Sequence, residues 1–337
     1  MAACTSLGVL VTSHSYPSAL WVFELRTRGK WFGDLPDYVI GNLDLPRPFN
    51  FGFSDHVGWS GNLAFTGPAA ARRLLVTDSG NNAVHVMDVA GRSHVGYLAA
   101  PGTICGPRGV AAWGSLAAVS VFTHSLTDGH EVVLFEGGGV EWTRVRVVGG
   151  GEFGTPGSFH SRLACPAGLR FTRDGTRLVV ANHARDCVNM FRVEDGTFAG
   201  NIAVDANRVM DVEEVEGGWL MACSDPNMLQ GRLGGKPGFG LGGHIAVGGN
   251  MPSSSRNKYA SALVTVPGLG LLVREAQHGH LWMYSTPDLV KMRTMSCMRV
   301  AWMMGVSRGI QHRKQQGELR GKKGKMGKTR KTRKSSM

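Results

Sequence analysis

Leu74-Leu75-Val76-Thr77-Asp78-Ser79-Gly80-Asn81-Asn82-Ala83-Val84-His85-Val86-Met87-Asp88, ending at Gly91, reads as strand, turn, strand. The Leu- and Val-rich flanks supply β-propensity. Ser79-Gly80-Asn81-Asn82 supplies residues that accept positive φ and side chains that bond their own backbone, so the chain reverses there. What this hairpin says about the fold depends on whether it recurs.

It recurs in phase. An offset of 104 residues brings Val180-Ala181-Asn182-His183-Ala184-Arg185-Asp186-Cys187-Val188-Asn189-Met190-Phe191 under the first copy, with apolar residues back at the strand positions. An offset of 197 brings Val273 to Tyr284, through Gln277-His278-Gly279-His280. Val11 to Phe23 aligns with one extra residue, and weaker copies begin near Val119 and Met221. The six hairpins are spaced by roughly 40–65 residues, and the range of about 40–50 plus insertions is that of four-stranded propeller blades. Short apolar segments precede five of them: Asn62 to Phe65, Gly109 to Trp113, Gly168 to Phe171, Val209 to Val212 and Leu263 to Val266. These are expected to be the innermost strands of radially packed sheets. The first hairpin has too little chain ahead of it for such a strand. The apolar segment Met298 to Met304 is therefore expected to close the ring beside Val9 to Thr12, since an unpaired inner edge would leave backbone groups unsatisfied.

The hairpin Val76 to Gly91 resembles the NHL repeat, an apolar strand, Asp, a Gly/Asn-rich turn and a second apolar strand. Gly149-Gly150-Gly151-Glu152-Phe153-Gly154-Thr155-Pro156-Gly157, then Cys165-Pro166-Ala167-Gly168-Leu169 and Asp174-Gly175, is similar to that family's Gly-rich linker, strand entry and turn. The resemblance implies an all-β, six-bladed propeller over residues 5–305, used to bind protein or RNA and sometimes for catalysis. A disordered basic C-terminal tail, residues 306–337, would follow it.

The formal charge of +12 is unevenly placed. From Val306 to Met337 there are twelve Lys or Arg and one acid, Glu318, leaving 25 bases against 24 acids in the body. An argument for a basic surface therefore attaches to the tail, with Lys322, Lys323, Lys325, Lys328, Arg330, Lys331, Arg333 and Lys334. That segment has almost nothing apolar to bury, and it reads as a nuclear-import signal or as an arm for RNA or another polyanion. It lacks the interleaved aromatics of sequence-specific RNA recognition. The six cysteines are scattered without a CxxC pair, which fits a reducing compartment, and no stretch has the length of a membrane span. The expectation is a soluble monomer of the cytoplasm or nucleus with no membrane association.

In a propeller the turns between second and third strands share one rim. Asp78, Asn81, Asn82, His183, Arg185, Asp186, His278 and His280, with Ser79, His14 and Gln277 beside them, are thus expected on one face as a binding rim, the turn chemistry of the Asp and Asn residues being the competing explanation. Four rim histidines raise the alternative of a metal-dependent hydrolase or lyase with a histidine-lined rim or central channel, a property the resemblance implies for some relatives. No local carboxylate orients His278 and His280, so no metal or other cofactor is assigned. A calcium-dependent lactonase-like channel would need several carboxylates, and Asp211 is the single acid in the five inner segments. No nucleophile elbow or phosphate loop is present, and no catalytic residue is assigned. Gly231 to Gly249 reads as a surface-loop insertion within the fifth hairpin. The preferred reading is a binding platform that docks protein or RNA, a protein being the first choice of partner.

Overall fold

A computed structural model describes residues 1–15, 18–25, 36–40, 49, 62–68, 71–122, 130–149, 162–203, 208–215, 218–223, 229–233, 244–246, 260–267, 270–275, 281–284 and 298–300. They form six four-stranded antiparallel sheets. The first contains β1 (Ala2–Cys4), β2 (Val9–Ser15), β3 (Ser18–Glu24) and β4 (Tyr38–Ile40). The second contains β5 (Leu63–Thr66), β6 (Arg73–Asp78), β7 (Ala83–Asp88) and β8 (Ser93–Ala99). The third is built from β9 (Pro107–Trp113), β10 (Leu116–Val121), β11 (Glu131–Gly138) and β12 (Glu141–Val148). The fourth has β13 (Pro166–Phe171), β14 (Arg177–Asn182), β15 (Cys187–Arg192) and β16 (Phe198–Ala203). The fifth has β17 (Val209–Val215), β18 (Gly218–Cys223), β19 (Leu229–Leu233) and β20 (His244–Ala246). The last comprises β21 (Ala260–Val266), β22 (Gly270–Glu275), β23 (Leu281–Tyr284) and β24 (Met298–Val300).

The offset of 104 carries β6 onto β14 and β7 onto β15 residue for residue, and the 3-10 turn Ser79–Asn81 onto His183–Arg185. The expected inner segments are the first strands of sheets two to six. Strands β6 and β7 are buried along nearly their whole length, because a neighbouring sheet covers each face. Burial then falls outward. In the third sheet β10 is almost wholly buried, whereas β12 is largely exposed and carries Glu141, Thr143, Arg144 and Arg146. The apolar clusters lie between sheets. Leu63, Leu74 and Val76 meet Val11 and Val22 of the first sheet, and Leu75, Val84 and Val86 meet Val110, Val119 and Val133 of the third. Another cluster joins Leu272 and Val264 to Leu10 and Phe23, so packing returns from the last sheet to the first.

The inner strands also touch in succession: β1, β5, β9, β13, β17 and β21, with β21 against β1. Two features allow the close approach. Gly109 and Gly168 hold equivalent positions, and a Cβ there would lie 2.2 Å from Ala167 O and 2.1 Å from Asp211 Oδ1 of the next strand. Buried hydroxyls on the second strands stitch adjacent inner strands. Ser120 Oγ accepts from Gly109 N and donates to Ala167 O, both at 2.7 Å, and Thr77 Oγ1 accepts from Asn62 N at 2.7 Å and donates to Arg108 O at 2.8 Å.

Three expectations need correction. The first sheet supplies its own inner strand, since Ala2, Ala3 and Cys4 pair with Val11, Leu10 and Val9 around a turn with Gly8 at φ 63°. Three residues suffice, and the first strand begins ahead of residue 5. Met298–Val300 does not pair beside Val9 to Thr12; it lies against β23 as the outer strand of the last sheet. Within Gly231 to Gly249, residues Gly231–Leu233 and His244–Ala246 belong to β19 and β20, which pair through Gln230–Ala246, Gly231–Ile245 and Arg232–His244. The tail, residues 306–337, lies outside the described residues. Among the described residues no helix is long and apolar enough to cross a membrane.

Candidate functional site

Four of the rim residues expected from the sequence, Asp78, Asn81, Asn82 and Asp186, take part in turn and linker hydrogen bonds. Asp78 is fully buried, so it is turn interior and not rim surface. Its carboxylate accepts from Asn81 N at 3.3 Å, Asn81 Nδ2 at 2.9 Å and His85 Nε2 at 3.0 Å, an Asx-type turn closed by a buried imidazole. The fourth sheet keeps the side-chain pairing but not the Asx turn: Asn182 stands in place of Asp78 and Asn189 in place of His85, Asn182 Nδ2 donates to Asn189 Oδ1 at 3.1 Å, and Asn182 Oδ1 accepts from Ala164 N at 2.8 Å instead of capping its own turn.

Asn82 and Asp186 are also equivalent. Each sits at φ 52° after its 3-10 turn, and its side chain reaches the linker that enters the next sheet. Asn82 Oδ1 accepts from Gly106 N at 2.8 Å and Asp186 Oδ1 accepts from Arg208 N at 2.6 Å. Gly106, Cys165 and Arg208, each just ahead of an inner strand, share positive φ values of 46°, 51° and 51°. The left-handed Cys165 and Arg208 are thus a device of the repeat and not local active-site strain. His278, His280 and the side chain of His14 lie outside the described residues, as do Lys322, Lys323, Lys325, Lys328, Arg330, Lys331, Arg333 and Lys334.

Around these clamps the same face gathers a basic arc over three consecutive sheets. Arg108, near the start of β9, places its guanidinium carbon 3.6 Å from the centroid of the Phe122 ring, at the end of β10. His130, just before β11, lies 5.4 Å from the same ring. Burial lowers the Arg108 pKa to about 10, with the Cys165 thiol opposing the shift. Burial and then the Arg108 charge lower the pKa of His130 and of His183. Burial raises the Cys165 thiol despite Arg108, which argues against a reactive thiolate. Arg208 and the partly buried Arg185 extend the arc. Asp186 stands within it, one oxygen spent on Arg208 N.

The opposite ends of the inner strands open on an axial cavity of about 620 Å³. All six inner strands contribute, with Phe65, Trp113, Arg170, Glu213 and Thr265 among the lining residues. Arg170 spans three strands: Nε donates to Glu213 Oε2 at 2.9 Å, Nη1 to Leu169 O and Nη2 to Leu263 O, both at 3.0 Å. Its Nη2 is also 3.5 Å from Asp211 Oδ2. Asp211 accepts from Val212 N and Leu263 N, and Glu213 Oε1 accepts from Thr265 N at 3.0 Å. Burial lowers the Arg170 pKa, but Asp211 and Glu213 outweigh it and the group is held above its ordinary value. Every oxygen of these two carboxylates already has a donor, so the pair is organised to hold strands together and not to attack a substrate. The sequence reading missed Glu213 because β17 extends to Val215, three residues beyond the expected segment. Arg170 stood inside an expected inner strand, but nothing local marked it as a hub.

Among the described residues no group of three or more His, Cys, Asp or Glu side chains could hold a metal ion. The described cysteines, Cys4, Cys105, Cys165, Cys187 and Cys223, form no disulfide with one another.

No protein-family model matches the chain, and no curated protein matches it either. Solved structures do. The chain is similar to Kuenenia stuttgartiensis hydrazine synthase, with a TM-score of 0.54 and 14% identity over 88% of this chain and 78% of that one. It is also similar to the β-propeller domain of Myceliophteria thermophila Cps50 (Swd1), with a TM-score of 0.51 and 11% identity over 87% of this chain and 82% of that one. Identity this low carries the architecture alone: the chain has the β-propeller fold.

Proposed function

We propose that this chain is a six-bladed propeller of the NHL type that works as a docking platform for a protein partner, bound on the face formed by the turns between second and third strands. The observation that carries the reading is the juxtaposition of Arg108, His130, His183 and Arg208 around one end of the inner strands, drawn from three successive sheets. The turn residues Asp78, Asn82 and Asp186 serve the scaffold, so recognition falls to this arc. Six four-stranded sheets and the repeat-wide turn chemistry support the blade number and the NHL type. The basic tail acts separately, as an arm for RNA or another polyanion or as an import signal, in a protein of the cytoplasm or nucleus.

Reversing charge on the arc with Arg185→Glu and Arg208→Glu tests the docking face. Proteins crosslinked to the full chain should be lost from this variant while its melting curve is retained. An unchanged set of crosslinked proteins would place docking on another face.

A further inference from the structure

His130 is 8% exposed, yet neither Nδ1 nor Nε2 has a hydrogen-bond partner. Folded chains rarely leave a buried polar ring unsatisfied, and such a group calls for an explanation. The imidazole shares one phenyl platform with a cation: the Phe122 ring is 5.4 Å from the His130 ring and carries Arg108 at 3.6 Å on its face. His183 and Arg208 stand beyond Arg108 on the same arc.

We propose that the His130–Arg108 pair receives a side-chain carboxylate from an acidic peptide segment of a partner protein, with His130 donating to one carboxylate oxygen and Arg108 supplying positive charge beside it. The proposal rests on the docking reading above and deepens it. A nucleic acid fits less well. The Phe122 face is covered by the guanidinium and is not open to stack a base.

Protonation accompanies capture. Among the described residues the groups beside His130 are Arg108 of β9 and Phe122 at the end of β10, with Glu131, next in the chain, paired with Arg144 of β12 at 3.3 Å; Cys165 and His183 lie beyond Arg108. Burial and then the Arg108 charge disfavour the protonated imidazole, and an arriving carboxylate favours it. Affinity should therefore rise as pH falls. A glutamate probe stays ionised above about pH 5, and each unit of pKa shift is worth about tenfold in binding.

The experiment is titration of acetyl-triglutamate amide into the full chain at pH 7.5 and 5.5, against triglutamine, with wild type, His130→Gln and Arg208→Gln. Lys and Arg of the tail keep their charge over this range and contribute equally in all three. Wild type should bind about five- to tenfold more tightly at pH 5.5. His130→Gln should lose that pH response, and Arg208→Gln should weaken binding severalfold while keeping it. Proton uptake on binding, read by calorimetry of wild type in two buffers of different ionisation enthalpy, tests the same point without a variant. An equal pH response in His130→Gln, no proton uptake, or displacement of the peptide by oligouridylate in wild type but not in His130→Gln would each overturn the proposal. If Arg185→Glu and Arg208→Glu abolish protein crosslinking while triglutamate binding ignores His130, this inference fails and the docking reading stands.

Discussion

Thr77, Ser120 and Thr12 hold one position of the repeat, and the structure makes them opposite in sign. Ser120 is fully buried and joins two inner strands, so Ser120→Ala strands the Gly109 amide and the Ala167 carbonyl. Each of the two buried groups left without a partner costs about 1–3 kcal/mol, so roughly 2–6 kcal/mol is expected in total. Thr77→Val keeps the shape of the side chain and should cost a similar amount, because Asn62 N and Arg108 O lose the same hydroxyl. Thr12 is equally buried, but its Oγ1 has no partner. Replacing a buried, unsatisfied hydroxyl with a methyl group removes a desolvation cost, so Thr12→Val should be stabilising by about 1 kcal/mol. Equilibrium unfolding in guanidinium chloride, with m held in common, reads both signs as midpoint shifts. If Ser120→Ala and Thr12→Val moved the midpoint in the same direction, the stitching argument would be refuted.

Other outcomes follow from the same geometry. Arg170→Met should destabilise by about 3–5 kcal/mol, because it leaves Asp211 and Glu213 buried without their cation; adding Glu213→Gln should recover part of the loss in thermal or chemical unfolding. Gly168→Ala should cost roughly 1–3 kcal/mol or more, since the new Cβ would meet Asp211 backbone Cα at 2.8 Å, and a wild-type midpoint would contradict the close inner-strand approach. His94, His130 and His183 all have pKa values lowered by burial, so the folded state binds fewer protons than the unfolded chain near pH 6. Their contribution is present above the ordinary histidine range and is lost as pH falls through it, which a stability profile from pH 7.5 to 5 should show, flattened in His94→Gln. Deleting residues 306–337 should leave the melting curve in place while abolishing salt-sensitive binding of polyanions.

The repeat was legible because a blade forces the same local chemistry at the same phase: apolar second and third strands, and a turn whose residues must accept positive φ. Strand boundaries transferred across an offset of 104 residues for that reason. The first inner strand was not legible, because Ala2–Cys4 is three residues long and carries no periodicity; only pairing with β2 makes it a strand. The tertiary roles of the turn residues were equally hidden. The sequence shows that Asp78 and Asn82 suit a turn, but not that one is sealed against His85 while the other reaches Gly106 in the next sheet. Nor does a neutral body count reveal how charge is distributed in space.

That distribution gives the molecule two unlike ends. At one end of the inner strands, Arg170, Asp211 and Glu213 come from adjacent strands and satisfy one another and the backbone, which suits a joint that must not move. At the other, linkers and turns from successive sheets bring Arg108, His130, His183 and Arg208 together, beside the Asn82 amide and the Asp186 carboxylate that hold two of the linkers. The division follows from the repeat itself. The second and fourth sheets each place a polar clamp on the linker that enters the next, the clamp consumes an acceptor, and Arg108, His130 and Arg208 beside it set the sign of the face. The sign of that face is thus set by positions where the copies differ, and stability by positions where they agree.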